Sequence, residues 1–185
     1  IIKSISFLLP RSWKSQRKKF QLHKEIIYLL AIIYLLCLFH VVTFQDSNYG
    51  TSNFTPFKEI FRYDIGSHKF MRNVMGNIIL FIPYGFLASY LLNNKKFSVI
   101  TILTVIASLT IETVQYYIGR VFDIDDIILN VIGGIVGFLI FIGLDAIRSK
   151  IKIFRNDTVL DILIIIFLVL IIVYSFNINI FSIWG

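Results

Sequence analysis

Apolar residues fill five long runs of this chain, and polar residues separate the runs. The runs cover residues 25–44, 74–92, 97–118, 127–144 and 159–176. A helix rises about 1.5 Å per residue, so each run is long enough to cross a hydrocarbon core of roughly 30 Å. Because backbone groups in lipid must pair within their own segment, the pattern predicts an all-α, polytopic transmembrane helix bundle with five spans.

The connections between the runs divide the chain into three parts. Residues 1–24 form a basic segment, residues 25–145 a membrane domain with an outer loop at 45–72, and residues 146–185 a basic inner loop with the last span. The apolar stretch 1–10 ends at Pro10, and we interpret it as the end of an upstream helix, which would be a sixth span. An amphipathic surface helix is the alternative interpretation.

Positive charge alternates between the connections. Thirteen of the 18 Lys and Arg residues fall in residues 1–24, 93–96 and 145–158. The bias predicts that the basic N-terminal segment is cytoplasmic and the C-terminus is outside. The net charge of +7 is therefore explained by topology and contact with membrane lipids, and nucleic acid is not an expected partner. Cys37 is the only cysteine, which excludes an intrachain disulfide.

Polar side chains concentrate near the predicted outer end of three spans. Glu112 and Gln115 share one face of their helix, and a carboxylate in hydrocarbon costs about 2.5–3.5 kcal/mol even on mild scales. Gly133 and Gly137 predict close packing on the face that also carries Asn130, so Asn130 should point into the bundle. We predict an outward-facing polar pocket with eight ligand-binding residues: Asn73, Asn77, Glu112, Gln115, Arg120, Asp123, Asp126 and Asn130.

Three interpretations of this pocket remain open at the level of sequence. The polar residues form a network that only fixes helix packing, or they bind a polar head group, or they catalyse a reaction. For catalysis the candidates are Glu112 and Asp126, with Glu112 as the general acid or base, and one variant adds Asp123 to hold a divalent cation. The sequence contains no Walker, G-x-S-x-G or H-E-x-x-H motif, and we predict no resident metal or cofactor.

These residues resemble the VanZ-like family of bacterial membrane proteins. The similarity lies in N-x-x-P-F at 53–57, in N-x-x-x-N-x-x-x-F-x-P-x-G-F at 73–86, and in three further motifs: E-x-x-Q at 112–115, R-x-F-D-x-x-D at 120–126 and N-x-x-G-G-x-x-G at 130–137. Asp125 falls between the positions that define the pattern, so the resemblance gives it less weight.

The resemblance implies a multi-pass protein of the bacterial plasma membrane with a link to teicoplanin resistance, and it supplies no reaction. We therefore expect resistance to lipoglycopeptide or lipopeptide antibiotics. The pocket would engage the head group of an amphipathic lipid or drug, with a lipid-linked cell-wall precursor or the antibiotic as partner. The alternative is a membrane enzyme that modifies a lipid-linked phosphate or sugar with Glu112 as acid or base.

Overall fold

The described part of the chain is a bundle of helices. A computed structural model describes residues 22–44, 52–150, 158–159, 161–170 and 173, with the side chains of 42–44 and 149 excepted. The helices are α1 (Leu22–Phe44), α2 (His68–Leu92), α3 (Phe97–Tyr117), α4 (Ile124–Lys150) and α5 (Asp161–Leu170). Among the described residues, α1 to α4 are long and apolar enough to cross a membrane. The predicted all-α membrane bundle is confirmed.

Two predictions fall on residues outside this description. The apolar stretch 1–10 lies wholly outside the described residues. The predicted fifth span, 159–176, lies partly outside them, and its described part is the shorter apolar helix α5.

α1, α2 and α4 extend beyond their apolar runs because polar residues form part of their terminal turns. α2 begins at His68 rather than at residue 74, and the hydroxyl of Ser67 caps it by accepting a hydrogen bond from the Phe70 amide, at 3.1 Å. Residues Met71–Met75 of α2 form a π-helical turn. Such a turn inserts one residue per turn and rotates the residues before it relative to those after it.

Glycines set the tightest contact in the bundle, between α2 and α4. A Cβ at Gly137 would lie 2.0 Å from the Ile82 carbonyl oxygen, and one at Gly133 would lie 2.2 Å from that of Ile78. Gly85 of α2 faces Gly134 of α4 in the same way. The predicted close approach of another helix at Gly133 and Gly137 is confirmed, and α2 is the helix that packs there.

A tyrosine joins α1 to the proline-containing part of α2. Pro83 lies inside α2 and has no N–H, so the helix lacks one of its own hydrogen bonds there. The buried Tyr34 hydroxyl donates to the Leu80 carbonyl oxygen, three residues before the proline. This bond joins α1 to α2 next to Ile79, whose carbonyl loses its helical donor at Pro83.

Replacing Tyr34 by phenylalanine should lower the free energy of unfolding by about 1 kcal/mol, because it removes one buried hydrogen bond and leaves the packing intact. The measurement is equilibrium unfolding of the purified protein in mixed micelles. Tyr28→Phe, on the same helix but half-exposed, is the matched control and should change stability by less than about 0.5 kcal/mol. Equal effects of both variants would show that the Tyr34 hydroxyl contributes nothing specific.

Candidate functional site

Glu112 lies at the centre of a polar cluster at one end of the bundle, which we call the loop end because residues 52–67 and 118–123 lie there. Its side chain is fully buried. One carboxylate oxygen, Oε2, accepts a hydrogen bond from the Asp123 amide at 3.0 Å. The other, Oε1, has no hydrogen-bond partner among the described residues.

Asn130 presents a second unpaired oxygen from the facing helix. Its amide nitrogen donates to the Ser108 hydroxyl across the α3–α4 contact, at 2.9 Å. Its Oδ1 is buried and also lacks a partner within the described part of the chain. Ser108 lies four residues before Glu112 and therefore on the same helix face. The prediction that Asn130 points into the bundle is confirmed, since its side chain is fully buried.

Asp126 connects α4 to α2 at the same level. It accepts a hydrogen bond of 2.6 Å from the side-chain amide of Asn77. Its charge interacts with those of Glu112, Asp123 and Arg120. Arg120 interacts electrostatically with both Glu112 and Asp126, and the cluster is rich in hydrogen-bond acceptors.

Asp123 links the cluster to the loops. Its Oδ1 accepts from the Asp125 amide and from the Asn53 side chain, each at 2.9 Å, so it caps the first turn of α4 while holding the loop. Backbone hydrogen bonds also join Asn53 to Phe122 and Ile124. Burial raises the pKa of the Asp123 carboxyl above its usual range, and the hydrogen bonds from Asp125 and Asn53 partly oppose this rise.

Asp125 holds the loop of residues 52–67 through hydrogen bonds, a role that the sequence pattern did not predict. It is 1% exposed, and its carboxylate accepts backbone N–H bonds from Phe57, Glu59 and Ile60 at 2.5, 2.7 and 3.3 Å. Phe57 has a positive φ of 66°, which is uncommon for a side chain of this size. The amides at the start of the short helix Ile60–Arg62 need an acceptor, and this need can be inferred from the sequence. The sequence does not show which aspartate supplies the acceptor.

The remaining predicted residues take different positions. Gln115 is buried, and its backbone carbonyl oxygen accepts from the backbone amide of Arg120 at 2.9 Å. Asn73 is half-buried in the π-helical turn and makes no side-chain hydrogen bond to another described residue. Asn77 contacts Asp126, while the place of Asn73 in the pocket stays a prediction.

The described residues contain no group of three or more His, Cys, Asp or Glu side chains that could hold a metal ion. The contact between Glu112 and Asp123 runs through a backbone amide, while the Asp123 carboxylate is used by N–H donors. The acids therefore do not converge as a ligand set, and the metal variant of the catalytic hypothesis has no support in this geometry.

Four membrane-length helices that enclose a buried cluster of carboxylates and amides define an integral membrane protein with a polar interior at one end. The VanZ/LLP1 family model matches residues 25–148, and the chain belongs to that family. The chain is similar to Protein VanZ of Enterococcus faecium, with 28% identity over 159 residues that cover 83% of this chain and 91% of that protein. No solved structure matches it.

Proposed function

We propose that this protein confers resistance to lipoglycopeptide or lipopeptide antibiotics by engaging the head group of an amphipathic lipid or drug at the loop-end cluster. Membership of the VanZ/LLP1 family supports the membrane setting and the resistance role. A lipid-linked cell-wall precursor and the antibiotic itself are the candidate ligands. Both present amide, hydroxyl or ammonium donors beside a long apolar part.

The observation that carries the proposal is the pair of unpaired oxygens, Glu112 Oε1 and Asn130 Oδ1, on facing helices. A buried acceptor without a donor costs about 1–3 kcal/mol, and more when it is charged. The two residues lie about one helical turn apart along α3, since Asn130 binds Ser108, four residues before Glu112. Two such acceptors without a donor among the described residues favour a ligand that brings its own donors. Separate donors of one head group, such as an ammonium and a hydroxyl, would satisfy the two oxygens, and Arg120 would contact a phosphate of the same head group.

The loop above the cluster supplies a surface for the apolar part of such a ligand. Phe54 stacks on Phe122 with ring centroids 5.4 Å apart, yet it remains 68% exposed. Phe61 and Ile65 are 83% and 90% exposed on the same loop. Aromatic side chains of this kind are typical of the membrane–water interface, where an amphipathic molecule also lies.

Catalysis is the second candidate, and the geometry of Glu112 favours it in one respect. One carboxylate oxygen is held by a backbone amide, while the other is unpaired among the described residues, which is the arrangement of an oriented general acid or base. In this alternative the substrate is a lipid-linked phosphate or sugar.

Glu112→Gln should lower resistance strongly, since it keeps the size and one acceptor oxygen but removes the charge. A hydrogen bond to a charged group is worth about 1.5–3 kcal/mol, which corresponds to roughly a 10–100-fold loss of affinity. The measurement is the minimal inhibitory concentration of teicoplanin in a susceptible Gram-positive host that expresses equal amounts of each variant. Glu25→Gln, at the exposed start of α1, is the control and should retain full resistance.

Mass spectrometry of lipid extracts from the same cells separates the two candidates. A new lipid species that depends on Glu112 would support the enzyme and contradict simple binding. Full resistance of a folded Glu112→Gln variant would contradict both.

A further inference from the structure

A cavity of about 80 Å³ lies at the end of the bundle opposite Glu112, which we call the basic end because Lys95, Lys96 and Lys150 lie there. One water needs only about 10–15 Å³ of such space, so the cavity admits a larger group. Its deeper wall is apolar and comes from α2, α4 and α5: Phe86, Phe141, Leu144 and Ile164.

The wall becomes polar toward the basic end. Along α2 the lining residues change from Phe86 through Tyr90 to Asn93, and along α4 they change from Phe141 to Asp145 and Arg148. Phe141 and Arg148 are seven positions apart, which corresponds to about 10 Å of helix. An apolar interior and a polar mouth at this separation match a molecule with an apolar chain and a polar head.

The charge at the mouth selects the kind of head group. Asp145 forms an ion pair with Lys95, which offsets its negative charge. Arg148 lines the cavity, and its planar guanidinium suits the two-oxygen recognition of a phosphate. Lys96 and Lys150 are exposed at the same end and add positive potential. The mouth is therefore suited to an anion.

Buried polar contacts hold the shape of the mouth. The Tyr90 hydroxyl donates to the carboxylate of Asp161, at the start of α5. His23 of α1 lies 3.1 Å from the same buried carboxylate. Residues of α1, α2 and α5 meet at Asp161, and the hydrogen bond to Asp161 holds the Tyr90 ring that lines the cavity.

We propose that this cavity binds one anionic glycerophospholipid, with its phosphate at Arg148 and part of its acyl chain against Phe86 and Phe141. Anionic lipids are enriched in the cytoplasmic leaflet, and the distribution of Lys and Arg predicts that the basic end faces the cytoplasm. The site does not depend on the proposed function, because it lies at the other end of the bundle from Glu112.

The test is native mass spectrometry of the purified, delipidated protein titrated with phosphatidylglycerol or phosphatidylcholine. We expect one phosphatidylglycerol to bind at least about tenfold more tightly than phosphatidylcholine. Arg148→Gln should remove most of this preference, and Arg148→Lys should keep part of it because the charge remains. Lys150→Gln removes the same charge two residues away, outside the cavity lining, and should leave the preference within about twofold of wild type.

Equal binding of the two lipids by the wild-type protein would overturn the proposal without any variant. Equal preference for phosphatidylglycerol in Arg148→Gln and Lys150→Gln would also overturn the proposal. Attraction to the general positive surface would then explain the binding. Displacement of the lipid by millimolar inorganic phosphate would show a free-phosphate site instead. Resistance assays of Glu112 variants do not bear on any of these results.

Discussion

Replacing Gly85 by alanine will prevent α2 and α4 from packing and will leave little folded protein. An alanine Cβ would lie 1.9 Å from the Gly134 carbonyl oxygen, far inside contact distance. The atoms that it would meet are backbone atoms of Gly134, which cannot move aside as a side chain can. Alanine favours a helix over glycine by about 1 kcal/mol, but forcing the helices apart costs typically 1–3 kcal/mol or more. The spans would have to separate by more than an ångström, so we expect the larger cost here.

Gly143→Ala is the matched control for this prediction. Gly143 lies on the same helix as Gly134, and a Cβ there meets no atom within 4 Å. It should express like wild type and unfold at the same or a slightly higher temperature, because alanine favours the helix and meets no neighbour there. The measurement is the yield of monodisperse protein and its midpoint of thermal unfolding in one detergent. A Gly85→Ala variant with the stability of Gly143→Ala would contradict the described α2–α4 contact.

Removing the carboxylate of Asp125 will release the loop above the cluster. Three amides, of Phe57, Glu59 and Ile60, donate to this side chain, and hydrogen bonds to a charged group contribute about 1.5–3 kcal/mol each. In Asp125→Ala these amides should exchange with solvent at least about 100-fold faster, measured by hydrogen–deuterium exchange. Phe57 would leave its positive φ once nothing holds it there.

Two further variants sharpen this prediction. Asp64→Ala removes an exposed carboxylate from the same loop and should leave the exchange rates unchanged. Asp125→Asn keeps one acceptor oxygen and should give an intermediate rate. If the loop is part of the binding surface, as we propose, resistance should decline in the same order. Unchanged exchange in Asp125→Ala would show that the rest of the loop suffices to hold it.

Much of the bundle could be predicted because each inference used residues close together in the chain. The spans followed from apolar length, and the burial of Asn130 followed from glycines one and two turns away. The sequence also placed Asn77 and Asp126 at the same end of their spans, where the structure joins them by a hydrogen bond.

The loop contacts could not be predicted in this way. Asp125 meets amides 65 to 68 positions away, and nothing local distinguishes it from Asp123 and Asp126. Asn53 meets Asp123 across 70 positions. Which of three neighbouring acids caps the helix, which holds the loop and which faces α2 depends on how the loop folds back over the bundle. The π-turn that contains Asn73 could not be predicted either, because hydrophobic spacing carries no signal for it.

The central claim is that Glu112 and Asn130 receive hydrogen bonds from a ligand head group. The most direct measurement is equilibrium binding of fluorescent teicoplanin, and separately of a lipid-linked cell-wall precursor, to the purified full chain in nanodiscs. We expect at least one of them to bind the wild-type protein and Glu25→Gln equally, and to bind Glu112→Gln roughly 10–100-fold more weakly at unchanged thermal stability. Equal affinity of Glu112→Gln and wild type, or no binding of either ligand to wild type, would contradict the account.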